Sequence, residues 1–304
     1  MEITLIDDPV YLTESLVSRL KELGSIKVYF DKPSKETAVQ RINQSNVAII
    51  RWTSITRDSI EKIDPTCYII LAGTGFPKID IEAAREKGIK VSNIPDYCRF
   101  SVAEHVFMLI LSLNRHIINA YQYASNGKPN PDPILLGTEL NQKTLGVIGV
   151  GQIGSAVATI GLGFGMRVLG NTRTKKNITG VINTDLDTLL AESDIVSVNV
   201  DLNPSTQGLL NKDKLLRMKK NSLLICTTNT SVIDEDALVE MLKDKRLAGA
   251  GIDSACKNKE LRLLDNVLLT PGSAWYTQEA LRRLEETIVI NIRSFTNGTF
   301  INLI

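Results

Sequence analysis

Aromatic residues make up only 5% of the 304 positions, histidine occurs twice and cysteine four times. Neither sign of charge prevails: 35 lysines and arginines stand against 34 aspartates and glutamates, a formal net charge of +1. A balanced chain lacks the basic excess that binding a nucleic-acid backbone requires. Cys67, Cys98, Cys226 and Cys256 are widely spaced with no CxxC pair, which argues for reduced thiols and against a disulfide framework or a zinc site. His105 and His116 stand apart and form no metal pair, so no metal site is expected. The longest apolar run, Val106 to Leu113, is broken by Ser112, Asn114, Arg115 and His116. It falls short of the about 20 apolar residues a membrane span needs. The opening Met1–Asp8 is acidic and reads as a first strand, not a signal peptide. What is present, 43% hydrophobic and 23% charged residues, is not the composition of a disordered chain. At about 150 residues per domain the length suggests two domains. A soluble, cytoplasmic, two-domain protein with neither membrane nor nucleic-acid partners is expected.

Short β-branched runs alternate with helical periodicity from the first residue. Ile3–Ile6, Ile26–Phe30, Val47–Arg51, Tyr68–Leu71 and, more weakly, Lys90–Ser92 read as strands. Between them Tyr11–Leu23, Lys35–Asn43, Thr56–Lys62 and Asp80–Lys87 repeat apolar residues at helical spacing. This rhythm calls for a parallel sheet covered by helices on both faces. Ser101 to Ala124 reads as one long apolar helix, followed by a Pro-, Asn- and Gly-rich connection, Ser125 to Pro133. A second unit begins at Lys143, with strands Thr144–Ile148, Arg167–Gly170, Ile195–Val200, Leu223–Thr227, Gly249–Ile252 and Val267–Leu269. Its helices are Gln152–Phe164, Leu186–Ala191, Lys212–Met218 and Asp234–Lys243, with Asp234 as N-cap, and a last helix runs from Gln278 to Thr296. The fold class is α/β with two doubly wound parallel-sheet domains.

Gly149-Val150-Gly151-Gln152-Ile153-Gly154 follows a strand and opens a helix, the context that gives a GxGxxG motif its meaning. Gly149 suits the tight turn, Gly151 a close approach of backbone to a pyrophosphate, and Gly154 close packing of helix on sheet. Helix-terminal N–H groups at Gln152 and Ile153 and the helix dipole then hold the anion. The competing reading is a glycine-rich turn that binds nothing. After the next strand, where an NAD site would carry an Asp or Glu, the chain reads Asn171-Thr172-Arg173-Thr174-Lys175-Lys176. No carboxylate repels a 2′-phosphate there, Arg173 can grip one in bidentate fashion, and Thr172 and Thr174 add hydroxyl donors. NADP is favoured over NAD; a solvated basic turn is the alternative.

At this point the chain resembles the D-2-hydroxyacid dehydrogenase family, which includes the phosphoglycerate, glycerate and formate dehydrogenases. The resemblance runs through Leu71-Ala72-Gly73-Thr74-Gly75-Phe76, Ser101-Val102-Ala103-Glu104-His105, the glycine motif and Val232-Ile233-Asp234-Glu235-Asp236-Ala237-Leu238. It continues through Gly249-Ala250-Gly251-Ile252-Asp253 and Asn266-Val267-Leu268-Leu269-Thr270-Pro271. It implies a Rossmann nucleotide-binding domain, residues 98–269, inserted into a discontinuous flavodoxin-like substrate domain, residues 1–97 and 270–304, and a homodimer. It also implies that Gly73, Thr74 and Gly75 offer backbone N–H groups to a small anion, and that Thr227 and Asp253 belong to the cofactor side, Asp253 against the nicotinamide carboxamide.

The family reduces 2-oxo acids reversibly, using a His donor tuned by a Glu and an Arg that clamps the substrate carboxylate. Here the Arg position, five residues before Asp234, is Asn229; the His position, after Pro271, is Gly272; the Glu position, five residues after Asp253, is Asn258, with Glu260 as a second candidate. Tyr276 is the substitute donor that remains, against a packing role. Cys226 and Cys256 read as small buried hydrophobes, Lys257 and Lys259 as a solvated loop, and Arg51 either as a lining residue or as a cap. Two functions follow. The first is an NAD(P)(H)-dependent oxidoreductase with a non-standard site, acting on a small carbonyl or an imine; an iminium is already activated and needs no strong acid. The second is a catalytically inactive NADP(H)-binding sensor or partner protein. Ordinary 2-hydroxyacid dehydrogenase activity is not expected.

Overall fold

The computed structural model describes residues 1–75, 79–128, 132–174 and 177–304. Phe76, Lys175, Lys176 and part of the expected connection at 125–133 lie outside the described residues. The chain divides into two compact units, Met1–Tyr97 with Thr277–Ile304, and Cys98–Tyr276.

The first unit alternates β1 (Glu2–Leu5), α1 (Glu14–Lys21), β2 (Ser25–Val28), α2 (Lys35–Asn43), β3 (Val47–Ile50), α3 (Arg57–Ile60), β4 (Tyr68–Leu71), α4 (Ile81–Glu86) and β5 (Val91–Ser92). All strand pairs are parallel, in the order β2-β1-β3-β4-β5, the flavodoxin-like arrangement. The central strands β3 and β4 are buried at every position, as a sheet covered on both faces demands. Thr13, Ser34 and Asp80 accept hydrogen bonds from the N–H groups of Leu16, Thr37 and Ala83 and so start α1, α2 and α4. The Thr13 cap places the start of α1 three residues later than the apolar pattern suggested, and Tyr11 is buried in the core ahead of it.

The second unit opens with α5 (Arg99–Asn114) and α6 (Ile117–Ser125). It continues β6 (Thr144–Ile148), α7 (Gln152–Gly163), β7 (Arg167–Asn171), β8 (Val181–Asn183), α8 (Leu186–Glu192), β9 (Ile195–Val198), α9 (Lys212–Leu216), β10 (Leu223–Cys226), α10 (Glu235–Lys243), β11 (Gly249–Asp253) and β12 (Val267–Thr270). Its sheet is parallel throughout, ordered β12-β11-β10-β9-β6-β7-β8. Asp234 caps α10, accepting from the N–H of Ala237. The last helix, α11 (Gln278–Thr296), belongs to the first unit, where Glu285 accepts the Thr13 hydroxyl at 2.5 Å. No helix among the described residues is long and apolar enough to cross a membrane.

Two local expectations are corrected. The single helix expected over Ser101–Ala124 is two helices, because His116 takes a left-handed backbone, φ 49°. The carbonyl of Asn114 at the end of α5 accepts a hydrogen bond from the N–H of Thr138 at 3.3 Å. The residue that caps this break arrives from a distant segment, so local periodicity does not show it. The short edge strand β8 was also not expected: only three residues long and partly buried, it carries little alternation to read.

Candidate active site

The order of the second sheet reverses between β6 and β9, each continuing to opposite edges. In such sheets the crevice outside the carboxyl ends at the reversal is where ligands bind. Gly149 turns the chain there with φ +87° and donates its N–H to the carbonyl of Asn171 at 2.8 Å. A Cβ at Gly149 would meet Val200 Cγ1 at 2.7 Å and the Asn199 carbonyl oxygen at 2.8 Å. Gly151 is the N-cap of α7, and a Cβ there would meet nothing within 4 Å, so its backbone faces open space. Gly154 sits so close to the strand that a Cβ would lie 2.0 Å from the Gly149 carbonyl oxygen. The three glycines thus show a forced turn, an open approach and a tight packing contact. With the N–H groups of Gln152 and Ile153 starting α7, these residues fit a dinucleotide pyrophosphate.

At the end of β7, Asn171 donates from Nδ2 to the carbonyl of Thr184 at 3.0 Å. Thr172 is half-buried, and Arg173 and Thr174 are exposed beyond it. The Arg173 guanidinium forms no hydrogen bond or ion pair with another described residue. Thr227 is half-buried just past β10.

Asp253, buried at the end of β11, gathers four donors. Its Oδ1 accepts from Thr270 Oγ1 at 2.6 Å, Gly272 N at 3.0 Å and Ser273 N at 2.8 Å; its Oδ2 accepts from Ala274 N at 2.8 Å. The structure therefore brings Asp253 and Gly272, distant in sequence, into direct contact. Gly272 itself adopts φ +77°, a left-handed backbone that strains any residue with a side chain. Next to this cluster lies His105 on α5, with Nε2 3.0 Å from Thr270 Oγ1 and 3.7 Å from Asp253 Oδ1. Burial lowers its pKa, and the charge of Asp253 opposes that shift. No sequence motif marks this contact, since α5 meets β11 and β12 only in the folded unit.

The other positions that the family resemblance marks as catalytic make hydrogen bonds of their own. Asn229 accepts from the N–H of Ser231 at 2.9 Å and caps a 3₁₀ turn (Thr230–Val232). Asn258 receives no carboxylate role; its N–H donates to Glu235 Oε2 at 2.6 Å, its Nδ2 to Asp236 at 2.8 Å, and its Oδ1 caps a 3₁₀ turn (Lys259–Leu263). Glu260, the second candidate, pairs with Lys243 of α10, both side chains about half exposed. Tyr276 stacks edge-on against Trp275, ring centroids 5.1 Å apart, and is 54% exposed. Burial pushes the Cys226 thiol up to about 12 and raises that of Cys256, so neither is a thiolate nucleophile. Lys257 and Lys259 are exposed.

In the first unit, the loop Gly73–Gly75 follows β4. Gly73 donates its N–H to Leu71 and its carbonyl accepts from Ile94, while the Thr74 carbonyl accepts from Asn93 Nδ2 at 2.7 Å. Arg51 lies across this loop: its guanidinium donates to the Ala72 carbonyl and to Tyr97 Oη, and a Cβ on Gly73 would stand 2.9 Å from its Nη1. Arg51 thus ties the loop down from within the unit.

Residues 107–274 match the family model described as D-isomer specific 2-hydroxyacid dehydrogenase, NAD binding domain. The chain is 33% identical over 304 residues to the D-3-phosphoglycerate dehydrogenase of Methanocaldococcus jannaschii, covering 97% of this chain but only 57% of that protein's length. With the hydroxypyruvate reductase of Thermotoga maritima it shares 34% identity over 296 residues, 94% of this chain and 96% of that one. Among solved structures, an acyclic imino acid reductase (Bsp5) in complex with NADPH and D-Arg matches with a TM-score of 0.96 and 38% identity, covering all of both chains. D-lactate dehydrogenase from Aquifex aeolicus, complexed with NAD and lactic acid, matches with a TM-score of 0.87 and 30% identity over 99% of each chain. By the family match over its cofactor-binding unit and these full-length likenesses, this chain belongs to the D-isomer specific 2-hydroxyacid dehydrogenase family of oxidoreductases.

Proposed function

We propose that the protein is an NADP(H)-dependent imine reductase acting on a small 2-imino acid. One observation carries the reading: the glycine cradle for the dinucleotide is complete, while Asn229, Asn258 and Gly272 stand where the family's resemblance calls for Arg, Glu and His. On this reading residues 98–269 hold the cofactor and residues 1–97 with 270–304, including Gly73, Thr74 and Gly75, receive the substrate. Arg173 faces the 2′-phosphate, with Thr172 and Thr174 as hydroxyl donors.

The cofactor, when bound, supplies a hydride to the substrate carbon. Reduction of a ketone builds charge on oxygen, and a positioned acid accelerates that by about 10² to 10⁴. In a protonated imine the hydride adds to carbon while the C=N π pair moves onto nitrogen, cancelling its positive charge, and no proton is transferred. Asn229 donates a hydrogen bond without charge, and Gly272 offers no side chain, so these positions suit the second reaction. The solved imino acid reductase that shares 38% identity and carries NADPH supports the same choice. Tyr276 is then unnecessary as an acid.

A second copy of the chain is proposed to cover α6, which buries none of its own residues and exposes Tyr121 by 72%, beside Leu136 exposed by 83%. The four buried, widely spaced cysteines fit a reducing, cytoplasmic setting.

The test follows NADPH absorbance with glyoxylate or pyruvate alone and with the same acid plus excess ammonium or methylamine. Consumption that requires the amine supports the reading. Equal rates without amine would make the protein an ordinary dehydrogenase. Tight NADPH binding without turnover on any imine would favour the sensor alternative, which the same three substitutions motivate.

A further inference from the structure

We infer that His105 is a positioning residue for the nicotinamide end of the site: through Thr270 it fixes the carboxylate of Asp253 and the backbone of residues 272–274. The inference rests on the proposed cofactor binding in taking Asp253 to face the carboxamide, the role that the family resemblance implies.

Hydrogen-bond bookkeeping sets the direction of every contact. A carboxylate only accepts, so the Thr270 hydroxyl, 2.6 Å from Asp253 Oδ1, gives its single proton to Asp253. Its oxygen then has to accept from His105, 3.0 Å away, which places the imidazole proton on Nε2. At 3.7 Å, His105 is too far from Asp253 Oδ1 for a direct bond, so its influence passes through Thr270. With Thr270, Gly272 and Ser273 all on Oδ1 and only Ala274 on Oδ2, the remaining acceptor direction of the carboxylate is on Oδ2. A donor such as a primary carboxamide matches it. Without His105, the Thr270 oxygen loses the donor that fixes its rotamer, and Asp253, still held by the N–H groups of Gly272, Ser273 and Ala274, loses its one side-chain donor of fixed direction.

The test uses the whole protein and two probes: NADPH, and the 2′-phosphorylated ADP-ribose that lacks only the nicotinamide. His105→Leu and Thr270→Val should each weaken NADPH by about fivefold to tenfold, while the probe without nicotinamide changes less than about twofold. His105→Gln, whose amide reaches as far as Nε2, and Thr270→Ser should bind NADPH as the wild type does. The double variant should be no weaker than either single one. Equal weakening of both probes, additive losses or unchanged NADPH binding would overturn the assignment. Asp253→Asn separates the two readings: if it too leaves the difference between probes intact, Asp253 does not face the carboxamide. Should His105→Leu fail to fold, nitrogen NMR of the wild-type imidazole still decides, because a neutral ring with its proton on Nδ1 and none on Nε2 contradicts the relay.

Discussion

The Gly149 carbonyl oxygen lies where a Cβ on Gly154 would have to be, 2.0 Å from its ideal position. Backbone cannot yield as a flexible side chain can. Gly154→Ala should therefore destabilise the fold by about 1–3 kcal/mol, seen as a lowered Tm with or without cofactor. Gly151→Ala should behave oppositely. Its new methyl meets nothing within 4 Å in the protein, so Tm stays near the wild-type value while NADPH affinity falls about tenfold or more.

Arg173 has no described partner inside the protein. Its removal should cost the fold little and the cofactor's 2′-phosphate a charge-assisted contact of about 1.5–3 kcal/mol. Fluorescence titration of Arg173→Ala should show NADPH weakened about tenfold to a hundredfold and NADH unchanged, which abolishes the preference.

Restoring Arg at 229, Glu at 258 and His at 272 together should confer measurable 2-oxo acid reduction, and each single change should confer little, because such groups act as a unit. Gly272 has φ +77°, so the histidine costs about 1–2 kcal/mol of backbone strain. The Asn258→Glu step also removes its bond to Asp236. A folded triple variant that binds NADPH yet reduces no 2-oxo acid would show that these three positions are not the family's.

His105 has a pKa lowered by burial, with Asp253 acting against the shift. A histidine depressed in the folded state takes up protons more readily when unfolded. Its share of stability is present above the unfolded value, about 6.5, and is lost as the pH falls through the folded one. Between about pH 8 and pH 5 the wild-type Tm should fall more than that of His105→Gln, measured by differential scanning fluorimetry. Parallel curves would mean that burial of His105 has no net effect.

Tyr121→Glu and Leu136→Glu each place a charge on the exposed apolar surface of α6 and the segment beyond it. If a second copy covers this surface, either change should turn a dimer into a monomer in size-exclusion chromatography with light scattering, with NADPH binding retained. A monomeric wild type would refute that use of the surface.

Much of the architecture follows from local pattern. The β-branched runs at Val47, Tyr68 and Thr144 are strands because a sheet buried on both faces favours apolar residues at nearly every position, and Thr144–Ile148 is buried at all five positions. Asp234 starts α10 because its side chain satisfies a helix-end N–H, and the glycine motif is legible because turn, approach and packing each need a missing Cβ at fixed spacing. Three things were decided only in three dimensions. The break between α5 and α6 has a partner in Thr138, far along the chain, so the helical period through Leu113 and Ile117 hides it. The contact of Glu260 with Lys243 and the left-handed backbone of Gly272 have no mark in composition. The relation of His105 to Thr270 and Asp253 spans residues from three elements, and hydrogen-bond geometry at 2.6 and 3.0 Å is a property of packing, not of sequence spacing. Sequence determines which atoms can donate and accept; the tertiary structure decides which of them meet.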